Sequence, residues 1–148
     1  MAVAPTKLND IADIFELLGD WEQRYQYLIE LGEKLPEMPA RYRTDDNRVK
    51  PCMSQVWVHA YADKDEADRI HYHGDCDTSV IKGVLALLIQ LAESKRAEEI
   101  QRLDVDEVFE KLKLGEHLSP NRHVGVYAIV ELMKQQAREL KAKQAQVA

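Results

Sequence analysis

Long apolar runs are missing from this chain of 148 residues. The longest, Val84 to Ile89, is bounded by Lys82 and Gln90, far short of the ~20 residues that a membrane-spanning helix needs. The N-terminal stretch Met1 to Asp10 has no basic start, apolar segment or small-residue cleavage site, so no secretory signal is expected. Cysteine is scarce: Cys52 and Cys76 are the two in the chain, and in a reducing compartment such thiols stay unbridged rather than forming a structural disulfide. The net charge is −6, the pI is near 5.4, and the basic residues are scattered, so the field of the molecule repels a phosphate backbone. Internal repeats and low-complexity tracts are absent as well. These absences argue against a membrane protein, a disulfide-stapled secreted domain and a nucleic-acid binder, and they lead us to expect a cytoplasmic globular protein.

What remains is enough for one domain spanning 1–148, long enough to bury roughly two thirds of its unfolded surface without disulfide or metal. Leu8, Ile11, Ile14, Phe15 and Leu18 recur at helical spacing, with Thr6 or Asn9 as candidate caps and Gly19 as the stop. Asp20 caps a second helix over about 21–35, in which Trp21, Tyr25, Leu28 and Leu31 face the core until Pro36 and Pro39 forbid continuation. Residues 36–47 have no period and read as a surface connection. Alternation over 54–61 and again over 69–73, around the charged turn Asp63 to Asp68, predicts an antiparallel hairpin. Asp77-Thr78-Ser79 opens a third helix to about Glu93 that is apolar round most of its circumference and so central. Inside it, Gly83 is explained by close backbone contact with the sheet. Short helices near 96–102 and 105–113 precede a last helix over about 120–140, started by Ser119-Pro120. Its core residues are expected to be Val124, Tyr127, Val130, Leu132 and Met133, with 141–148 a frayed polar tail. Helices following a hairpin predict an α+β fold, a small antiparallel β-sheet packed against several α-helices mainly on one face.

The chemistry concentrates in the stretch from Val49 to Val58. Cys52 sits in a polar turn after Pro51, directly before a strand, where a thiol is reachable rather than packed. A thiolate is the nucleophile, and an ordinary thiol with pKa near ~8.5 needs positive charge or backbone donors to ionise at neutral pH. Lys50 and Arg48 are the candidate charges. A histidine base is not fixed, because His59 and His71 or His73 lie on neighbouring strands of unknown register. Cys52, Cys76, His71 and His73 would formally supply two sulfurs and two nitrogens to zinc, but no close Cys-x-x-Cys pair exists; no metal site is expected.

Cys52-Met53-Ser54-Gln55-Val56-Trp57, Gly74-Asp75-Cys76-Asp77, Val80-Ile81-Lys82-Gly83 and Leu118-Ser119-Pro120-Asn121-Arg122, in this order and spacing, resemble the SufE family of sulfur acceptors for cysteine desulfurases. Asp20-Trp21-Glu22-Gln23-Arg24-Tyr25 and the run from Ile29 to Pro36 extend the resemblance over nearly the whole chain. It implies a fold like that of the IscU scaffold proteins and makes Cys52 the residue that accepts sulfur as a persulfide. The implied partner is a cysteine desulfurase that carries the pyridoxal phosphate, so the chain itself needs no cofactor. Sulfur then passes to a cluster-assembly scaffold complex of the SufBCD type. In such proteins the cysteine loop is sheltered when alone and extends into the partner's active site.

The motif forms are nearer to the branch served by a SufS-like desulfurase than to the related CsdE branch with its CsdA-like partner, and monomer and homodimer remain open. Pro51, Ser54, Gln55, Trp57, Asp75, Cys76, Asp77 and Arg122 are the residues expected to shape the loop or meet the partner. Two of them depart from the family: Pro51 stands where glycine is usual, fixing a backbone angle and removing a donor, and Cys76 stands where serine is common. Between two carboxylates, Cys76 reads as a spectator, with a relay of the persulfide as the sharper alternative. Core packing is the plainer expectation for Trp57 and a helix N-cap for Asp77. Arg122, in a first helical turn, opposes the helix dipole and so points to a site or partner role. Two other functions compete: a metal or iron-sulfur scaffold, and a regulator that stimulates the desulfurase without receiving sulfur.

Overall fold

The most apolar segment of the chain becomes its centre. The computed structural model describes residues 8–50 and 54–147; Pro51 and Cys52, with the cap candidate Thr6, lie outside them. Its elements are α1 (Leu8–Leu18), α2 (Trp21–Glu33), β1 (Val56–Ala62), β2 (Ile70–Cys76), α3 (Ser79–Ala92), α4 (Ala97–Ile100), α5 (Val105–Leu112) and α6 (Pro120–Val147), with 3-10 turns at Ala40–Tyr42 and Leu114–Glu116. Gly19, at φ +80°, closes α1 in a conformation that a side chain would strain. The Asp20 carboxylate then accepts the Gln23 amide at 2.9 Å and starts α2. Ser119 and Pro120 start α6 in the same way, with the Ser119 hydroxyl accepting the Arg122 amide at 3.4 Å.

β1 and β2 pair antiparallel from Val56↔Cys76 to Ala62↔Ile70, which makes the fold α+β. Alternation sends Val56, Val58, Ala60, Ile70, Tyr72, Gly74 and Cys76 to one buried face. A Cβ on Gly74 would meet Ile89 and Leu85 of α3, and the Tyr72 hydroxyl donates to the Met133 carbonyl of α6 at 2.7 Å; both helices therefore cover this face. Burial raises the Tyr72 phenol far above its ordinary pKa, so it stays a neutral donor. The other face carries Trp57, His59, Tyr61, His71, His73 and Asp75.

Several sequence expectations are corrected by packing. Gly83 meets α2, not the sheet: a Cβ there would press on the Leu28 backbone. β2 runs three residues past the expected 69–73 because Gly74, Asp75 and Cys76 pair with Val58, Trp57 and Val56. In α6, Val130 and Met133 are buried as expected, but Val124 and Tyr127 are exposed at 51% and 41% while Val126, Ile129 and Ala137 are buried, so the core-facing stripe near the start of the helix is rotated from the expected one. The helix also continues to Val147 through the stretch expected to fray, with Lys141 bound to Glu98 and Gln144 to the Ala67 carbonyl.

His71 fastens the far end of the hairpin. Its Nε2 lies 2.6 Å from Asp63 in the turn and its Nδ1 contacts Glu93 at the end of α3. Burial alone would lower the His71 pKa, but the hydrogen bonds with Asp63 and Glu93 raise it above the ordinary value. Asp63 is held at about 2 by the hydrogen bond with His71 and those from the Glu66 and Asp65 amides. The raised group stabilises fully below about pH 6.5 and loses its contribution as pH rises through the folded value; the depressed one contributes above about pH 4 and loses it toward pH 2. The melting-temperature difference between wild type and His71→Ala is expected to be largest between these limits and to shrink at alkaline pH. A difference no larger at about pH 5 than at alkaline pH would refute the clamp.

Candidate functional site

The two ends of the Cys52 stretch are tied to each other. The Val49 amide donates to the Val56 carbonyl at 2.8 Å and the Val58 amide to the Asn47 carbonyl at 2.9 Å, with Arg48 bridging to Trp57. Residues 47–49 are thus bridged to β1 without forming a further strand, and Val49 is buried at 1% exposure. Nothing in the sequence predicts this pairing: the surface connection is expected to end at Asn47, and Val49 stands out there only as the start of the Cys52 stretch. The chain leaves this frame at Lys50 and re-enters it at Ser54.

On the re-entry side a compact hydrogen-bond cluster joins β1, β2 and α3. The Ser54 and Thr78 hydroxyls are 2.6 Å apart. The Asp77 carboxylate accepts the Gln55 amide at 3.1 Å and the Thr78 hydroxyl at 3.2 Å, while the Asp77 amide donates to the Gln55 carbonyl. Asp77 is therefore not the N-cap of α3; that position is Thr78, whose own hydroxyl is engaged with Ser54 and Asp77 and caps nothing. The sequence offers Thr78 only as one of the three residues that open the helix; its bond to Ser54 depends on the fold.

Asp75 holds three segments together. It pairs with Arg43 at 2.6 Å and with Lys82 of α3 at 3.3 Å, and it accepts the Cys76 amide at 2.8 Å. Lys82, one turn into the helix that follows β2, could have been anticipated from chain order; Arg43 could not. The Arg43 guanidinium also lies over the Trp57 ring, 5.9 Å from its centroid. Trp57 is thus on the outer face, partly covered by Arg43, rather than in the core. Strand alternation decides this, because Val56 and Val58 take the inner face.

Cys76 is buried within the core cluster, and its sulfur accepts the Thr78 amide at 3.4 Å. Lys50, a candidate charge for Cys52, donates to Asp45 at 2.7 Å; this hydrogen bond and charge hold the Asp45 carboxyl below its ordinary pKa. Arg122 lines a cleft of about 280 Å³ with Tyr25, Val80, His117, Leu118 and Ser119. Val80 is in the first turn of α3, so this cleft flanks the Thr78 cluster, and the Tyr25 hydroxyl fixes its wall by donating to the His117 carbonyl at 2.6 Å. Ser54, Gln55, Asp75, Cys76 and Asp77 are thus gathered at one end of the hairpin, with Arg122 on the neighbouring cleft.

A helix-backed hairpin with a cysteine-bearing segment entering at its open end, beside Val56 and Cys76, is the class of protein that these features define. The chain matches the family described as "SufE: Fe-S metabolism associated domain" over residues 9–137. It is 41% identical over 133 residues to an uncharacterized SufE-like protein of Rhizobium meliloti (strain 1021), covering 89% of this chain and 95% of that one. An uncharacterized SufE-like protein of Rhizobium etli is 39% identical over 132 residues, covering 88% and 89%. The solution structure of a hypothetical protein from Thermus thermophilus superposes with a TM-score of 0.75 at 22% identity, over 95% of this chain and 99% of that one; this likeness concerns the fold. The chain belongs to the SufE family, which is associated with iron-sulfur metabolism.

Proposed function

We propose that this protein accepts sulfur on Cys52 from a pyridoxal-phosphate-dependent cysteine desulfurase, stimulates that enzyme, and passes the sulfur to a scaffold complex for iron-sulfur cluster assembly. The observation that carries the reading is the frame: Val49 is bonded to Val56 on one side of the cysteine, and Ser54 and Gln55 are bonded to Thr78 and Asp77 on the other. Such a frame fixes both flanks of Cys52, as presentation of a thiol to another protein's active site requires. The Cys52 thiolate attacks the terminal sulfur of the partner's persulfide. A new sulfur-sulfur bond forms on Cys52, the partner's bond breaks, and its thiolate leaves, so no external oxidant or reductant enters. The amino-acid chemistry remains with the partner's cofactor. Burial of Cys76 in the core favours the spectator role for that thiol over a relay.

Intact mass spectrometry after incubation with desulfurase and cysteine tests this directly. Wild type is expected to gain one sulfur atom, mapped to the Cys52 peptide, and Cys52→Ser to gain none. Desulfurase stimulation that survives in Cys52→Ser, with no adduct on wild type, would establish the non-covalent regulator instead. Stoichiometric iron lost on the same substitution would establish a scaffold.

A further inference from the structure

The outer face of the hairpin carries a row of stacked rings that the sulfur-acceptor reading does not use. His59 and His73 are direct cross-strand partners. Their Nδ1 atoms are 3.4 Å apart, and their rings lie within 9° of parallel with centroids 5.6 Å apart. Tyr42 stacks on His59 at 3.8 Å, and Tyr61 on His73 at 4.4 Å. The register, the 3-10 turn at Ala40–Tyr42 and the alternation of β1 therefore hold both imidazoles in place before any ligand arrives.

We propose that His59 and His73 bind one borderline divalent transition-metal ion, Zn²⁺ foremost, through their facing Nδ1 atoms. Zinc holds imidazole nitrogen at about 2.05 Å, and a tetrahedral angle then separates two such nitrogens by roughly 3.3–3.4 Å, whereas a right-angle arrangement would need about 2.9 Å. The observed 3.4 Å fits the tetrahedral value. Binding requires neutral rings with the proton on Nε2. Burial, then the charges of His73 and Arg41, lowers the His59 pKa, and burial, then Arg41, lowers that of His73, so both rings are neutral at pH 7.

The remaining coordination positions fall to water, because no group of three or more His, Cys, Asp or Glu residues suited to a metal occurs among the described residues. His71 on the same face is bonded to Asp63 and Glu93 and does not join the pair. Arg41, whose guanidinium sits over Tyr42 at 4.6 Å, is the charge that opposes the cation. The site is accordingly open to exchange.

Titration calorimetry with zinc chloride tests this in a Cys52→Ser chain, which lacks the competing thiol at that position. One Zn²⁺ per chain is expected, with at least tenfold weaker binding in His59→Gln or His73→Gln and tighter binding in Arg41→Gln. Cobalt bound to the same chain is expected to show the visible absorption of tetrahedral coordination. Binding unchanged in both glutamine variants, or no binding up to millimolar zinc, overturns the site. Should a variant fail to fold, histidine side-chain NMR of the Cys52→Ser chain decides: the site requires that substoichiometric Zn²⁺ shift His59 and His73 first, and any other histidine responding first refutes it.

Discussion

Gly83→Ala is expected to destabilise the protein by about 3 kcal/mol or more, although alanine is the better helix former by about 1 kcal/mol. The two effects have opposite signs, and packing decides between them. A Cβ on Gly83 would fall inside contact distance of the Leu28 carbonyl carbon and oxygen and 2.9 Å from its Cα. Because these are backbone atoms of α2, no side-chain rotation relieves the clash, and the whole helix has to move. Gly32 meets the same seam from the other side, where a Cβ would lie 2.9 Å from the Gly83 nitrogen. Urea denaturation of Gly83→Ala beside Gly115→Ala, whose Cβ would meet only His123 at 4.0 Å, separates packing from propensity. Equal midpoints for the two variants would sink the argument.

Asp77→Ala is expected to slow sulfur acceptance by Cys52 roughly 10- to 100-fold, since small misplacements of a reacting group cost up to about that much. The same change is expected to cost only about 1–2 kcal/mol of stability, the loss of the acceptor for the Gln55 amide and the Thr78 hydroxyl. Asp77→Asn keeps a carbonyl oxygen in place of Oδ1 and should retain most of the rate. Single-turnover transfer from a persulfidated desulfurase, measured beside thermal melts, reads both quantities. A rate loss no greater than the stability loss accounts for would show that the cluster does not position the cysteine. Failure of Cys52 to take sulfur even in wild type would be a different result, directed at the acceptor role itself.

The site was legible in the sequence to the extent that its parts are adjacent in the chain or carry the family's motifs. Ser54, Gln55, Asp75 and Asp77 were picked out in this way, and the hairpin brings them together. The roles of Thr78 and Arg43 were missed because what matters about them is a partner far away in sequence, Ser54 and Asp75 respectively. Asp77 was assigned the commonest local role for an aspartate before a helix, yet the Gln55 amide across the hairpin claims its carboxylate. The helices were found from periodicity, but in α6 the apolar positions go all round near its start, so the sequence leaves the buried stripe open. Val126 rather than Val124 faces inward because α6 must lie against β1 and α4.

By itself the sequence determined which segments are helix and strand, where Asp20, Gly19 and Ser119-Pro120 begin and end them, the family, and Cys52 as the thiol to test. These are local properties: side-chain period, capping chemistry and motif spacing act over a few residues. Only the tertiary structure decided that Gly83 seats α2, that His73 pairs with His59 on the face it shares with Trp57, that Val49 closes on Val56, and that Asp75 joins Arg43 to Lys82. Each of these depends on register or on the approach of two backbones, and a shift of one residue would turn every side chain of a strand to the opposite face.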